Sequence, residues 1–232
     1  MRIAMWSGPR NLSTAMMYSF GNRSDFAVWD EPFYAAYLAT TGLDHPMRDD
    51  ILAAHEADPN KVATRCIDAI PAQKPYFYMK HMPHHMINEV PLDWAHDCVN
   101  VHLIRHPARV IASYGEKRSE MNFDDIGFAQ QAAIYDKFGG YVIDSADIRA
   151  NPEMMLRKLC DAIGLDFDPA MLSWPAGPHE GDGIWASHWY NAVHKSTGFA
   201  GAEGPLPELE GAAAELCAQA LPYYERLAAL KL

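Results

Sequence analysis

The chain has 232 residues, of which 30 are Asp or Glu and 19 are Lys or Arg, so that its net charge is −11. This balance excludes a nucleic-acid binder or a protein that docks on anionic membranes, because both need a positive field to attract phosphates. The length suits one α/β domain, no apolar run approaches the roughly 20 residues that span a bilayer, and the four cysteines include no CxxC pair. We therefore expect a cytoplasmic protein that binds any anionic ligand through a local cluster of basic groups.

Short apolar runs alternate with longer helical patterns along the chain, which is typical of a parallel sheet covered by helices. Strands are predicted over residues 3–6, 26–29, 76–80, 99–104 and 141–143. Helices are predicted over residues 12–21, 59–69, 107–117, 124–138 and 152–163, with a further solvated helix face over 49–56. Pro107 and Pro152 support two of these helix starts, since the first helical position needs no N–H.

Residues 173–207 are rich in Gly, Pro, Trp and His and show no clear periodicity. The length of this segment favours a functional lid or acceptor loop over an ordinary surface loop. Its aromatic residues either wall a ligand pocket or form a small core under the loop, and the second interpretation is slightly favoured. Residues 207–232 predict a closing helix, or a pair of helices interrupted at Pro222. We predict a single domain over residues 1–232.

The loop after the first strand has the sequence Ser7-Gly8-Pro9-Arg10-Asn11-Leu12-Ser13-Thr14 and leads into a helix. A Gly-containing turn between a strand and a helix gathers backbone N–H groups and the positive end of the helix dipole, and Arg10 adds a full charge. The Walker A pattern is not met, because Ser13 and Thr14 stand where that pattern needs Gly and Lys. From this loop alone, an anion cradle and an ordinary turn with capping hydroxyls are equally favoured.

A second candidate anion site follows the fourth predicted strand. Arg105 ends that strand, at the edge where α/β sheets bind ligands, and Ser113 lies on the helix that begins at Pro107. Arg105 and Ser113 can grip one phosphate together, through a charged fork and a hydroxyl donor. The alternative is that Arg105 forms a structural ion pair and Ser113 bonds to its own helix backbone, and taken alone it is as well supported.

Three stretches in this order resemble the sulfotransferase family. Residues 9–14 look like that family's 5′-phosphosulfate loop, in which a basic residue follows a Pro and two hydroxyl residues open the helix. Residues 105–114 are similar to its 3′-phosphate element, with Arg and Ser eight positions apart and Pro two after the Arg. Residues 142–152, which lead into 156–165, look like its later strand–helix signature. The resemblance implies a three-layer, P-loop-like α/β fold with a central parallel sheet flanked by helices.

The resemblance also implies a donor, 3′-phosphoadenosine 5′-phosphosulfate, and transfer of its sulfuryl group to a hydroxyl or amine of a small molecule. By this likeness Arg105 and Ser113 hold the 3′-phosphate, and the first loop holds the 5′-phosphosulfate, with Arg10 as its cation. The residues assigned to that loop are Gly8, Pro9, Arg10, Asn11, Leu12, Ser13 and Thr14. No metal is expected, since positioning and electrostatics suffice for such a transfer.

Two departures concern the nucleotide. Leu12 stands where the family usually has Gly, and Ala15 stands where many cytosolic members have a Trp that stacks on adenine. The family's C-terminal 3′-phosphate motif has no clear counterpart, and Lys195 in Lys195-Ser196-Thr197-Gly198 is the substitute that we assign, with a plain Gly turn as the alternative. These departures leave open a nucleotide- or phosphometabolite-binding protein without transfer activity. A kinase-like phosphotransferase is less favoured, because the Walker lysine is missing.

The acceptor must lose a proton, and two residues compete for the role of base. His81 resembles the catalytic His-x-Pro context of the cytosolic members, and a histidine accepts a proton near pH 7 with little adjustment. Glu31 resembles the base of some bacterial and heparan-type members, and a carboxylate needs burial to raise its pKa to that range. For each, a hydrogen-bonded structural role is the alternative. A metal site at His81, His84 and His85 is disfavoured, because Pro83 breaks their common helical face.

Overall fold

The computed structural model describes residues 1–115 and 121–232. The strands of its central sheet are β1 (Arg2–Ser7), β2 (Phe26–Asp30), β3 (Tyr76–His81), β4 (Val99–Ile104) and β5 (Tyr141–Asp144). The strands run parallel in the order β2-β3-β1-β4-β5. The sequence prediction of an α/β fold with a parallel sheet is therefore confirmed, and each predicted strand lies inside an observed one.

Helices cover both faces of this sheet. In chain order they are α1 (Ser13–Gly21), α2 (Tyr34–Thr41), α3 (Arg48–Ala54), α4 (Pro59–Ile67), α5 (Pro107–Gly115), α6 (Phe123–Ile126), α7 (Phe128–Phe138), α8 (Ser145–Ala150), α9 (Pro152–Ile163), α10 (Ala186–Trp189) and α11 (Gly211–Ala228). Local chemistry sets several ends. Asn151 caps α9 by accepting the N–H of Met154 at 3.1 Å, and Gly164 ends it at a φ of 70°.

One helix prediction needs correction, and one that had two alternatives is resolved. The predicted helix over residues 124–138 is two helices, because Gly127 adopts a φ of 71° and separates α6 from α7. Of the two alternatives for the closing segment, the single helix is confirmed: α11 continues through Pro222. The last two positions of the predicted helix over 107–117 lie outside the described residues. The helices α2, α8 and α10 were not predicted from the sequence.

The core lies on both sides of β1, whose residues alternate between the two faces of the sheet. Ile3 and Met5 pack in the apolar cluster under α1 and α9, whereas Ala4 and Trp6 pack in the cluster under α4 and α7. Within residues 1–115 and 121–232, no helix combines the length and the apolar character needed to cross a bilayer.

The strand order places the ligand-binding edge. The chain leaves β1 towards β2 and β3 on one side, and β4 and β5 lie on the other, so the order reverses between β1 and β4. Ligands of open α/β sheets bind outside the carboxyl ends of the strands at such a reversal. The loops that follow β1 and β4 are the two candidate anion sites of the sequence analysis.

The loop after β1 is held against the end of α6 at Gly8. A Cβ atom on Gly8 would lie 2.7 Å from the carbonyl oxygen of Ile126. We expect Gly8→Ala to lower the free energy of unfolding by about 1–3 kcal/mol, the usual cost of overpacking. Denaturant unfolding measures this loss. Gly201→Ala is the matched control, since among the described residues its Cβ would meet no atom within 4 Å; equal losses in both variants would contradict the close approach.

Candidate functional site

The loop between β1 and α1 borders a cavity of about 400 Å³. Arg10 and Leu12 adopt left-handed backbone conformations, with φ of 59° and 69°. The side-chain amide of Asn11 donates to the carbonyl of Leu103 at 2.7 Å and so ties the loop to β4. Leu12 is the N-cap of α1, and its side chain cannot accept the N–H groups of the first turn. The loop therefore directs backbone donors and one guanidinium toward the cavity edge.

The second anion element meets the first at this edge. The Nε of Arg10 donates to the Oγ of Ser113 at 2.9 Å, and the Nη1 of Arg105 donates to the carbonyl of Arg10 at 2.6 Å. Arg10, Arg105 and Ser113 all line the cavity. Residues assigned from separate sequence patterns are thus brought together, 103 positions apart in the case of Arg10 and Ser113.

An arginine cluster surrounds one carboxylate behind Arg105. Glu203 has a side chain only 3% exposed, and it accepts from the Nε of Arg105 at 3.0 Å and from the Nη1 of Arg149 at 2.8 Å. The Nε of Arg109 lies 2.8 Å from its other oxygen. Arg105 thus forms the ion pair that the sequence left open as the alternative, and it also lines the cavity, while its phosphate-binding role stays a prediction.

A buried charged cluster lies at the ends of β2 and β3. Lys80 has no exposed surface, and its Nζ donates to Asp30 at 2.9 Å, to Glu31 at 2.8 Å and to the hydroxyl of Tyr190 at 2.5 Å. Asp30 and Lys80 are register partners in the sheet. Burial opposes the charge on Lys80, but the adjacent carboxylates outweigh it and raise the pKa of its ammonium. The cluster holds a cation and an anion side by side without solvent.

Glu31 connects this cluster to the cavity. Its backbone N–H donates to the carbonyl of Lys80 at 2.9 Å, its φ is 40°, and it is one of the residues that line the cavity. Burial raises the pKa of Glu31 even though Lys80 opposes the shift. A carboxylate with a raised pKa at a cavity wall has the properties of a general base.

The segment over residues 183–190 contributes further hydrogen bonds to this buried charged cluster. The indole Nε1 of Trp185 donates to Asp30 at 3.0 Å, and the backbone N–H of Gly183 donates to the same oxygen at 3.2 Å. The hydroxyl of Tyr190 lies 2.8 Å from Asp30 and 3.2 Å from Glu31. Trp174 and Phe199, by contrast, pack into the main core. The aromatic residues of the long segment thus serve both as core and as cavity wall.

The end of the cavity away from the arginines is aromatic. The ring of Tyr34 stacks on His85 with centroids 4.8 Å apart and an angle of 11° between the planes, and the Tyr34 hydroxyl bonds to the Nδ1 of His45. Burial and the neighbouring His84 hold the pKa of His85 well below its usual value. Trp189 lines this end as well. A neutral, aromatic wall suits a small organic ligand.

His81 points away from the cavity. It follows Lys80 on β3, and consecutive strand residues face opposite sides of the sheet. Its ring lies 4.8 Å from Trp6 and 4.7 Å from Trp94, between centroids, and is 1% exposed. In the described part of the chain neither ring nitrogen has a hydrogen-bond partner, and burial lowers the pKa of His81 to about 3. The structure does not bring His81 to the other candidate residues.

The remaining predicted site residues divide between the cavity and its surroundings. Five loop residues line it with Arg10, namely Pro9, Asn11, Leu12, Ser13 and Thr14. Gly8 is buried and precedes these residues in the chain, but it does not line the cavity. Lys195 is exposed at the end of a short helical turn and does not line the cavity either. Within the described residues, no group of three His, Cys, Asp or Glu side chains is arranged to hold a metal ion; that the reaction needs no metal stays a prediction.

Sequence reasoning missed several of these residues. Lys80 carried a usable signal, because a charged residue inside an otherwise apolar strand must find buried partners. Glu203 and Arg149 carried none, since they are 54 positions apart and their pairing arises only in the folded chain.

Comparison with known proteins agrees with this geometry. The sulfotransferase domain family model matches residues 1–231. The chain is 36% identical over 230 residues to branched-chain-amino-acid aminotransferase-like protein 2 of Arabidopsis thaliana. This match covers 97% of this chain and 41% of that protein. Protein 1 of the same name and plant is 39% identical over 202 residues, covering 85% and 36%. The chain spans about two fifths of the length of these curated relatives.

Two solved structures share the fold. The sulfotransferase domain from the curacin biosynthetic pathway superposes with a TM-score of 0.55 at 16% identity, covering 94% of this chain and 96% of that one. The sulfotransferase from Alicyclobacillus acidocaldarius gives a TM-score of 0.56 at 12% identity, covering 98% and 94%. The five-stranded parallel sheet flanked by helices is thus the P-loop-like α/β fold of these sulfotransferases. With the family match over residues 1–231, the chain belongs to the sulfotransferase domain family.

The surroundings of His81 generate a stability prediction. The folded-state pKa of about 3 lies below the ordinary value of 6.5, so between these pH values the unfolded chain binds one more proton than the folded chain. The contribution of neutral His81 to stability is therefore complete above pH 6.5 and is lost as the pH falls toward 3. We expect His81→Phe to flatten the pH dependence of the unfolding free energy in this window by up to about 1.4 kcal/mol per pH unit. Denaturant unfolding at several pH values measures it, and an unaltered slope would contradict the burial.

Proposed function

We propose that this chain transfers a sulfuryl group from 3′-phosphoadenosine 5′-phosphosulfate to a hydroxyl or amine of a small-molecule acceptor. The observation that carries the proposal is that the two elements assigned to phosphate binding and the residue Glu31 border a single cavity of about 400 Å³. Arg10, Arg105 and Ser113 form the basic end, and Glu31 lies at the aromatic end. Family membership supports the reaction type, and the two ends supply a donor side and an acceptor side.

The residues of the first loop fit the 5′ end of such a donor. The first turn of α1 presents N–H groups that the side chain of Leu12 cannot cap, and Arg10 contributes a guanidinium beside them. Ser13 and Thr14 add hydroxyl donors at the same edge. Sulfate and phosphate oxygens need donors of this kind, and they gain from the helix dipole as well.

Glu31 is the base that the geometry favours over His81. It lines the cavity and has a raised pKa, whereas the ring of His81 lies among Trp6, Phe33 and Trp94 and stays neutral far below pH 6.5. Lys80 holds the Glu31 carboxylate in place. Glu31 takes the proton of the acceptor, whose oxygen or nitrogen then bonds to sulfur. The donor supplies the sulfuryl group and keeps the electron pair of the broken S–O bond, leaving as adenosine 3′,5′-bisphosphate, while Arg10 stabilises the charge on the leaving phosphate.

The same proposal places residues 173–207 over the acceptor side. Trp189, Tyr190 and Val193 of this segment line the cavity, which supports a role as acceptor loop within one domain. All four cysteines, which lie in the described part of the chain, are free thiols, and this supports a reducing compartment such as the cytoplasm.

A nucleotide-binding protein without transfer activity is the second candidate. Leu12 and Ala15 line the cavity where related proteins have Gly and Trp, so the donor is held without the usual adenine stack. Turnover with any acceptor excludes this candidate, whereas tight nucleotide binding without turnover across a broad panel of hydroxyl and amine acceptors favours it.

The donor assignment predicts nucleotide binding through Arg105. We expect adenosine 3′,5′-bisphosphate to bind, and Arg105→Ala to weaken its binding by about 1.5–3 kcal/mol, the range for a hydrogen bond to a charged group. Isothermal titration calorimetry measures both affinities. Arg157→Ala is the control, because this exposed arginine pairs with Glu153 on α9. No heat and no thermal shift at millimolar nucleotide would remove the donor assignment.

The base assignment predicts that Glu31→Gln abolishes transfer and leaves the affinity for adenosine 3′,5′-bisphosphate within about twofold. The amide keeps the shape of the side chain but cannot accept the acceptor's proton. His81→Phe should retain turnover. Transfer of radiolabelled sulfate to the acceptor panel measures both variants. The acid limb of kcat/KM should lie above the usual pH range of a glutamate, because the pKa of Glu31 is raised and the base must be ionised. Loss of turnover in His81→Phe, with Glu31→Gln active, would reverse the assignment.

A further inference from the structure

The carboxylate of Glu203 lies where an anion-binding site would be open. Three guanidinium groups converge on it, those of Arg105, Arg109 and Arg149, from the end of β4, from α5 and from α8. The Glu203 side chain is 3% exposed, and the arginine side chains are 16%, 16% and 23% exposed. An ion pair at the surface contributes little to stability. The carboxylate of Glu203 differs from such a pair, because it is buried and lies against three guanidinium groups.

All three nitrogen atoms of the Arg105 guanidinium already donate hydrogen bonds within the protein. Its Nε and Nη2 both donate to one oxygen of Glu203, and its Nη1 donates to the carbonyl of Arg10. A guanidinium has five N–H donors, and a phosphate is bound best through two neighbouring ones. A phosphate on Arg105 must therefore compete with Glu203 for the same donors.

The segment that carries Glu203 is held by the same arginines. We call residues 199–205 the strap. The Nε of Arg149 donates to the carbonyl of Gly201 at 2.9 Å, and Arg109 donates to the carbonyl of Gly204. Most of the strap is exposed, and its Ala200 lines the cavity. Glu203 thus fastens an otherwise exposed segment beside the donor side of the cavity.

The charges of the cluster favour a dianion over this carboxylate. Three guanidiniums around one carboxylate leave two positive charges uncompensated within the cluster. A terminal phosphate carries up to two negative charges near pH 7 and three acceptor oxygens, enough to engage all three arginines. A 5′-nucleotide without a 3′-phosphate offers no such group at this place.

Resting on the proposed function, we infer that Arg105, Arg109 and Arg149 form the subsite for the 3′-phosphate of the nucleotide, and that Glu203 fills this subsite until the phosphate displaces it. Arg109 and Arg149 then determine the specificity for a 3′-phosphorylated donor. When the phosphate displaces Glu203, the strap is released from the arginines. When the spent nucleotide leaves, the strap binds to the arginines again.

The variant Glu203→Gln tests the competition. It keeps the size of the side chain and removes the charge, so the affinity for adenosine 3′,5′-bisphosphate should rise at least fivefold by calorimetry, while that for adenosine 5′-phosphate stays within twofold. Glu208→Gln removes one exposed carboxylate five positions further along and should change neither affinity. Arg149→Met should weaken the bisphosphate at least fivefold and leave the 5′-monophosphate within twofold.

If a folded Glu203→Gln variant binds the bisphosphate no more tightly than the wild-type protein, the inference is overturned. That result would mean that Glu203 does not compete with the phosphate for the arginines. If the wild-type protein binds the bisphosphate in that case, the proposed function stands alone; if neither protein binds it, both fall. Hydrogen exchange of the wild-type protein is a second measurement, for use if the variant does not fold. Backbone amides of residues 199–205 should exchange faster when the bisphosphate is added, and slower or equal exchange overturns the inference.

Discussion

The site depends on an ammonium group that has no contact with solvent. Lys80, on β3, lies between Asp30 and Glu31 at the end of β2, and Tyr190 of the long segment packs against it. Removing one partner of a buried ion pair costs about 3–5 kcal/mol, because the remaining charge is left uncompensated. The native arrangement of three elements therefore depends on this one cluster, namely the end of β2, the end of β3 and residues 183–190. That shared requirement keeps Glu31 at the cavity wall.

Charge is separated along the cavity. Guanidinium groups gather beside the loops after β1 and β4, where the strand order reverses, and carboxylates gather at the ends of β2 and β3. The parallel sheet creates this separation, because it brings the carboxyl ends of all its strands to one edge. A chain with a net charge of −11 thus presents a local basic surface to an anion. Bulk charge and local charge differ in sign, and only the local charge acts on a bound phosphate.

The sequence predicted the strands because their signal is local, and the two candidate anion elements, which were also assigned from local patterns, line one cavity. Apolar runs mark the strands, and a loop between a strand and a helix marks an anion site. Contacts between distant residues left no such pattern: Arg10 meets Ser113, and Arg105 meets Glu203, only after folding. His81 and Glu31 were equally supported in sequence, since the difference between them arises from the aromatic rings that enclose His81. The break at Gly127 was missed because one glycine within a helical pattern does not reveal its φ.

Left-handed backbone conformations occur at Arg10, Leu12 and Glu31, all of which border the cavity. Residues with a Cβ atom pay about 1–2 kcal/mol each for this geometry, and glycine does not. Laboratory evolution toward heat tolerance would accept glycine at all three positions. At Leu12 such a change would discard only apolar packing, but at the other two it would delete the guanidinium and the carboxylate. Thermostabilised descendants of this chain would thus be expected to drift toward inert scaffolds unless turnover were selected in parallel.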